Sequence, residues 1–132
     1  GLGSRIRYEA CSAKDYAGPF DVISFFDCLH DMGDPVGAAA HALRQLNDDG
    51  LLVLIEPFAG DSPEENFNVV GQMFYSASTM GCVPASLAQE VGMALGAQAG
   101  PAKLAIVLQQ AGFREVQTVA TTATNMVLCA RK

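Results

Sequence analysis

Positive charge is what this sequence has least of. Lys and Arg number 8 against 14 Asp and Glu in 132 residues, for a formal net charge of −6, and the pI is near 4.6. Such a balance leaves no basic footprint for nucleic acid or for an anionic membrane. Long apolar runs are missing too. None reaches the roughly 18 residues that would span a bilayer, and the longest candidate, around 51–55, is broken by Glu56 and Pro57. The opening Gly-Leu-Gly-Ser-Arg-Ile-Arg lacks the apolar core of a secretory signal. It also lacks an initiator Met, which raises the expectation of a fragment. The cysteines, Cys11, Cys28, Cys82 and Cys129, form no C-x-x-C pair. Metal spacing is therefore absent, and the expectation is buried reduced thiols in a cytoplasmic protein. There is no internal repeat and no low-complexity tract.

What is there is apolar. Half of the residues are hydrophobic and the mean hydropathy is +0.22, which suits one domain with its own core and argues against disorder. Residues 5–11 alternate like a half-buried strand. Residues 20–27, Phe-Asp-Val-Ile-Ser-Phe-Phe-Asp, read as a strand buried on both faces, because their apolar residues are continuous. Asp34-Pro35 is a helix start, and 35–46 carries apolar residues at helical spacing. Gly50 breaks the chain before a second apolar strand at 51–57. The stretch 58–100 has scattered Gly and no strand pattern. It reads as a helical insert, with helices over 63–80 and 84–95. Residues 100–113 predict an amphipathic helix with Leu104, Val107, Leu108 and Ala111 on one face and Gly112 at its end. Two alternating runs, 114–121 and 124–132, predict an antiparallel hairpin. Strands alternating with helices imply an α/β fold, mostly parallel, with helices on the faces and an antiparallel C-terminal edge.

The densest polar cluster follows the first apolar strand: Asp27, Cys28, His30, Asp31, then Asp34. In open α/β sheets ligands sit outside the carboxyl ends of strands, so these residues stand where a site would be. Asp27 and Asp31 could equally cap backbone groups, and His30 could be half-buried packing. His41, within the 35–46 helix, reads as structural.

Phe20-Asp21, Leu29-His30, the Leu46-to-Gly50 turn and Glu56 occur in an order and spacing that resemble the second half of a class I S-adenosylmethionine-dependent methyltransferase. The helix, Ala111-Gly112-Phe113 turn and final strands at 101–132 are similar to that family's C-terminal end. The family's Gly-rich turn after its first strand, and the acidic residue closing its second, are missing; Gly-Leu-Gly-Ser at 1–4 is only an echo. The resemblance implies a partial Rossmann-like methyltransferase sheet over residues 1–132, beginning at the family's third strand. It implies S-adenosylmethionine as cofactor, with Ser12 and Ala13, and Asp15 beside them, at the adenine, and Asp27 and Cys28 also on the cofactor. Leu29 to Asp34 is similar to the His-Asp-Trp-x-Asp stretch of small-molecule O-methyltransferases, with Met32 where those have Trp. That implies His30 as general base, with Asp31 orienting it. The insert would lie over a small-molecule acceptor, with Met73, Phe74, Tyr75 and Met80 either lining that site or packing a helix on the core.

Two other readings stay open. The chain could be an inactive truncated module that self-associates, or another α/β protein such as a nicotinamide-dependent enzyme or a receiver-type domain. The missing Gly-rich turn and the terminal hairpin count against the last. Without the family's first strand, one edge of 20–27 is bare. Strand 5–11 folding back, or a second copy, would cover it. The expectation is a homodimer burying well over roughly 1,000 Å².

Overall fold

Asp34 accepts a hydrogen bond from the Gly37 backbone N–H at 2.8 Å, and Pro35 fills the first helical position, so helix α1 runs over Pro35–Gln45 as its cap and spacing dictate. The computed structural model describes residues 2–132; Gly1, the first residue of the Gly-Leu-Gly-Ser echo, lies outside them. Strand β1 spans Phe20–Phe26, β2 Leu46–Pro57, β3 Glu115–Thr121 and β4 Asn125–Arg131, in the sheet order β1-β2-β4-β3. Only β1–β2 is parallel; β2–β4 and β3–β4 are antiparallel. The parallel part of this α/β sheet is thus one strand pair, and the predicted terminal hairpin forms.

One face of the sheet meets α1 and helix α4 (Pro101–Gln110). Ile23, Phe25, Leu52, Leu54, Leu128 and Ala130 join Ala38, Ala39, Ala42, Leu104, Val107 and Leu108 in a single core. Ala111 completes the predicted α4 stripe, and Gly112, at φ 107°, ends the helix in a conformation that side chains avoid.

Three expectations change. Strand β1 is not buried on both faces: Ile23 and Phe25 are, but Val22 is 57% and Phe26 66% exposed. A continuous apolar run cannot by itself say whether both faces are covered. Residues 5–11 form no strand; the run is exposed, with Tyr8 90% accessible, and a strand needs a partner to exist. Strand β2 begins at Leu46, directly after α1, and not at 51. Phe20 pairs with Leu46 and Val22 with Leu51, so residues 47–50 bulge out of the ladder around Gly50.

The insert is one bent helical run and an irregular strap. A short turn at Glu64–Asn66 leads to α2 (Val69–Ala77), capped by Asn68, whose side chain accepts from the Gly71 N–H. A wide π turn, Ser78–Cys82, then leads into α3 (Val83–Leu87). Pro84 therefore sits inside a continuous helical run where a separate helix was predicted to start. Proline has no N–H to give the preceding turn, and the wide turn is how a helix accommodates that. The predicted helix over 84–95 stops at Leu87, because Val91, Gly92, Ala94 and Gly96 all have positive φ. Among the described residues, no helix is long and apolar enough to cross a membrane.

Candidate active site

Strand β1 ends in a sharp turn. Asp27 has φ 45°, a left-handed conformation that Asp tolerates better than most residues. Its N–H still donates to the Ile55 carbonyl at 2.8 Å, and its side chain accepts from Asn125 at 2.9 Å. The chain then forms one short turn, Leu29–Asp31. That turn puts His30 beside the end of β2, where the alternation that buries Leu52 and Leu54 also buries Glu56.

Glu56 is 1% exposed and His30 5%. One Glu56 oxygen accepts from the Leu29 backbone N–H at 2.9 Å; the other accepts from His30 Nδ1. An ionised carboxylate only accepts, so it holds the proton on Nδ1 and leaves the lone pair of the neutral ring on Nε2. Asp31 Oδ1 lies 3.3 Å from that Nε2. Burial works against a charge on the ring, but the Glu56 hydrogen bond and the charges of Glu56, Asp31 and Asp27 outweigh it, and the His30 pKa is raised above 6.5.

His30 opens into a cleft of about 340 Å³ lined by Asp27, Pro57, Phe74, Ala77, Cys82, Ala97 and Asn125. Phe74 and Ala77 reach it because they are three residues apart on one face of α2. Met73 and Met80 do not line it. Met73 lies one residue, about 100° of helix, from Phe74, and is half exposed. Met80 is 80% exposed and lines an outer groove with Tyr75, Ser76 and Thr79. Of the predicted acceptor residues, only Phe74 reaches His30.

Cys82 is a residue that sequence spacing did not single out. His30, Asp31 and Cys82 each place a possible ligand atom within 4.8 Å of the others. Burial first, and then the Asp31 hydrogen bond and charge, raise the Cys82 thiol pKa. Cys28, expected on the cofactor, is half-buried against the core and does not line the His30 cleft. Its thiol is also pushed up, by burial first and then by the Glu56 charge.

Ser12 and Ala13 line a second cleft, of about 280 Å³, with Lys14, Met32, Asp34, Ala38, Gln89 and Glu90. Asp15 does not line it. Ser12 Oγ accepts from the Lys14 backbone N–H at 3.1 Å. Lys14 Nζ reaches Asp34 at 3.1 Å and Glu90 at 3.4 Å. Segment 27–34 walls both clefts, giving Asp27 and His30 to one and Met32 and Asp34 to the other.

The methyltransferase domain family matches residues 5–118. This chain belongs to that family. No curated protein matches it in sequence. Solved methyltransferases share its fold. PigF with S-adenosylhomocysteine has a TM-score of 0.71 and 14% identity over 100% of this chain and 37% of that one. Human N-acetylserotonin methyltransferase with S-adenosylmethionine has a TM-score of 0.65 and 24% identity over 95% of this chain and 33% of that one. An O-methyltransferase family protein from Burkholderia thailandensis gives 0.67 and 19%, over 99% and 37%. The methyltransferase domain described here thus spans little more than a third of those chains. Its β1 end, with His30 and the two clefts, lies where a doubly wound sheet places its ligands.

Proposed function

We propose that this chain is the acceptor-side portion of an S-adenosylmethionine-dependent methyltransferase that acts on the hydroxyl of a small molecule, with His30 as general base. The observation that carries this is the buried Glu56–His30 pair, in which Glu56 engages Nδ1 and leaves Nε2 as the other nitrogen of a ring that lines a cleft. His30 takes the acceptor proton at Nε2, and the imidazolium that forms is stabilised by Glu56 on Nδ1 and by the neighbouring charges of Asp31 and Asp27. The apolar walls of that cleft, Pro57, Phe74, Ala77 and Ala97, suit a small, partly aromatic acceptor. No Lys or Arg lines it, so nothing there favours a phosphorylated one.

The residues present fit the cofactor that the family implies. Asp27 gives the His30 cleft an acidic lining suited to a sulfonium cation. Ser12 and Ala13, with the apolar Met32 and Ala38 across the second cleft, offer a polar rim and an apolar wall for adenine. When bound, S-adenosylmethionine supplies the electrophilic methyl group. Calorimetric titration of this chain with S-adenosylmethionine and S-adenosylhomocysteine tests the assignment. The expected result is saturable heat; no heat at high micromolar ligand overturns cofactor binding by this chain. The four free cysteines favour the cytoplasm as its compartment.

A second reading is self-association. Among the described residues, β1 pairs only with β2, and it exposes Phe20, Val22 and Phe26. With no strand at 5–11 to fold back or be exchanged, a second copy is the simplest cover for that edge. Light scattering at low micromolar concentration should then give twice 13.9 kDa; a stable monomer of 13.9 kDa overturns it.

A further inference from the structure

The strap from Ser86 to Gly96 holds the His30 turn by its backbone. Four consecutive carbonyls accept hydrogen bonds from it. The His30 carbonyl accepts from the Gly96 N–H at 3.3 Å and the Gly33 carbonyl from the Met93 N–H at 2.9 Å. The Asp31 carbonyl accepts from the Gln89 side chain at 2.9 Å and the Met32 carbonyl from Ser86 Oγ at 2.8 Å. In return the Gly33 N–H donates to Gln89 Oε1 at 2.9 Å. A Cβ on Gly33 would collide with the Glu90 carbonyl and the Gln89 side chain, so only glycine permits this approach.

The strap holds an uncommon backbone to do this. Val91 and Ala94, neither of them glycine, lie at φ 70° and 53°, a strain that the surrounding contacts must offset. Ser86, fully buried, spans the strap internally by also accepting from the Ala94 N–H at 3.0 Å. Ala97, the residue that follows the strap, lines the His30 cleft. Gln89 and Glu90 line the Ser12–Ala13 cleft.

We propose that Gln89 is a positioning residue: its amide clasps Asp31 and Gly33, fixes the turn that aims His30 Nε2 into its cleft, and links that turn to the wall of the neighbouring cleft. This rests on the reading of His30 as the base. A primary amide suits the task because one side donates to a carbonyl while the other accepts from an N–H. Each hydrogen bond alone is modest. Their value lies in geometry, since His30 acts only if Nε2 faces the acceptor.

The test reads the ring itself. The chain has two histidines, His30 and His41, and a nitrogen-15 imidazole spectrum reports the tautomer and titration of both. His30 faces Glu56 from β2, Asp27 and Asp31 from its own turn, and Cys82 from the wide turn. In Gln89→Met the His30 signals should shift and its titration midpoint should fall toward 6.5, while His41 stays where it was. Gln89→Glu keeps the acceptor for Gly33 and should give an intermediate response; it also serves if the Met variant does not fold. Unchanged His30 signals in either variant overturn the proposal, as does a His41 shift of equal size, which would mean general loosening. No turnover enters this readout. A failure of His30 as base, seen in rates, is therefore distinguishable from a failure of the clasp.

Discussion

The turn after β1 and the middle of α1 each bury one histidine, and they use it in opposite ways. In α1, His41 gives Nε2 to the Tyr16 backbone carbonyl at 2.7 Å, and its ring meets Tyr16 edge-on, with centroids 4.6 Å apart. Its neighbours are a helix and a loop, and its bond ties the two together. In the turn, His30 gives Nδ1 to a buried carboxylate, has Asp31 Oδ1 3.3 Å from Nε2, and lines a cleft with Asp27. Burial alone does not make a histidine reactive. What differs is the setting: a backbone carbonyl within the packing for His41, a buried carboxylate beside a cleft for His30.

Substituting each histidine is the sharpest way to break that comparison. In a full-length relative carrying this segment, His30→Ala should cut turnover by roughly 10²–10⁴-fold with cofactor affinity nearly intact, if the proposed role of His30 holds. His41→Ala should leave turnover close to wild type and lower stability by about 1–3 kcal/mol, through the Tyr16 carbonyl it leaves without this partner. Steady-state rates and denaturant midpoints separate the two. Equal rate losses would reduce His30 to packing.

Glu56 should matter nearly as much, and through stability. Glu56→Ala strips the Leu29 N–H and His30 Nδ1 of their shared acceptor. Breaking a buried charged pair from one side costs about 3–5 kcal/mol. Glu56→Gln keeps one acceptor oxygen but removes the charge, so it should fold better and lower the His30 pKa, since the Glu56 charge that raises it is lost. Urea melts of both variants, with histidine titration of the second, check this; a Glu56→Ala protein as stable as wild type would contradict the pairing.

Local chemistry was legible in the sequence. The Asp34-Pro35 cap, the Leu104-Val107-Leu108-Ala111 stripe and the 115–131 hairpin each follow from a few neighbouring residues, and all are present. Partners distant along the chain were not. Glu56 was visible as an acid closing an apolar strand, but its bond to His30 crosses 26 residues. The Gln89 bond to Asp31 crosses 58, and no pattern within one element announces it. Strand 5–11 alternated correctly yet lies unpaired, because alternation describes which residues a strand would bury and cannot supply the strand beside it. Met73 and Met80, proposed for the acceptor from their chemistry, lie away from the His30 cleft, and which way a residue of the bent 69–87 run faces is not written in its side-chain type.

Stability and turnover should respond to pH in opposite directions at His30. In the folded protein His30 holds its proton above 6.5. Its contribution to stability is therefore fully present below about 6.5 and is lost as pH rises through the raised folded value. Turnover runs the other way, because a base must start neutral: the rate should rise with pH through that same raised value. Melting curves across pH on wild type and His30→Ala isolate the first trend, and a pH–rate profile the second. A rate that falls over the range in which His30 loses its proton would be incompatible with the base.

The smallest expected effect separates the two clefts. Ser12 is exposed at the rim of the cleft that the 27–34 segment shares with the His30 site. Ser12→Phe should crowd that rim, opposite Met32 and Ala38, while leaving Glu56, Asp27 and Asp31 around His30 untouched. About tenfold weaker S-adenosylmethionine binding, or 1.4 kcal/mol, is the expected loss. The His30 titration should not move, since none of the carboxylates that raise its pKa lines the Ser12 cleft. Calorimetry gives the first quantity and nitrogen-15 spectra the second. Unchanged affinity would remove the adenine from this cleft. A shifted His30 midpoint would mean that the strap carries a disturbance from one cleft to the other, which Gln89→Met in the same background should abolish.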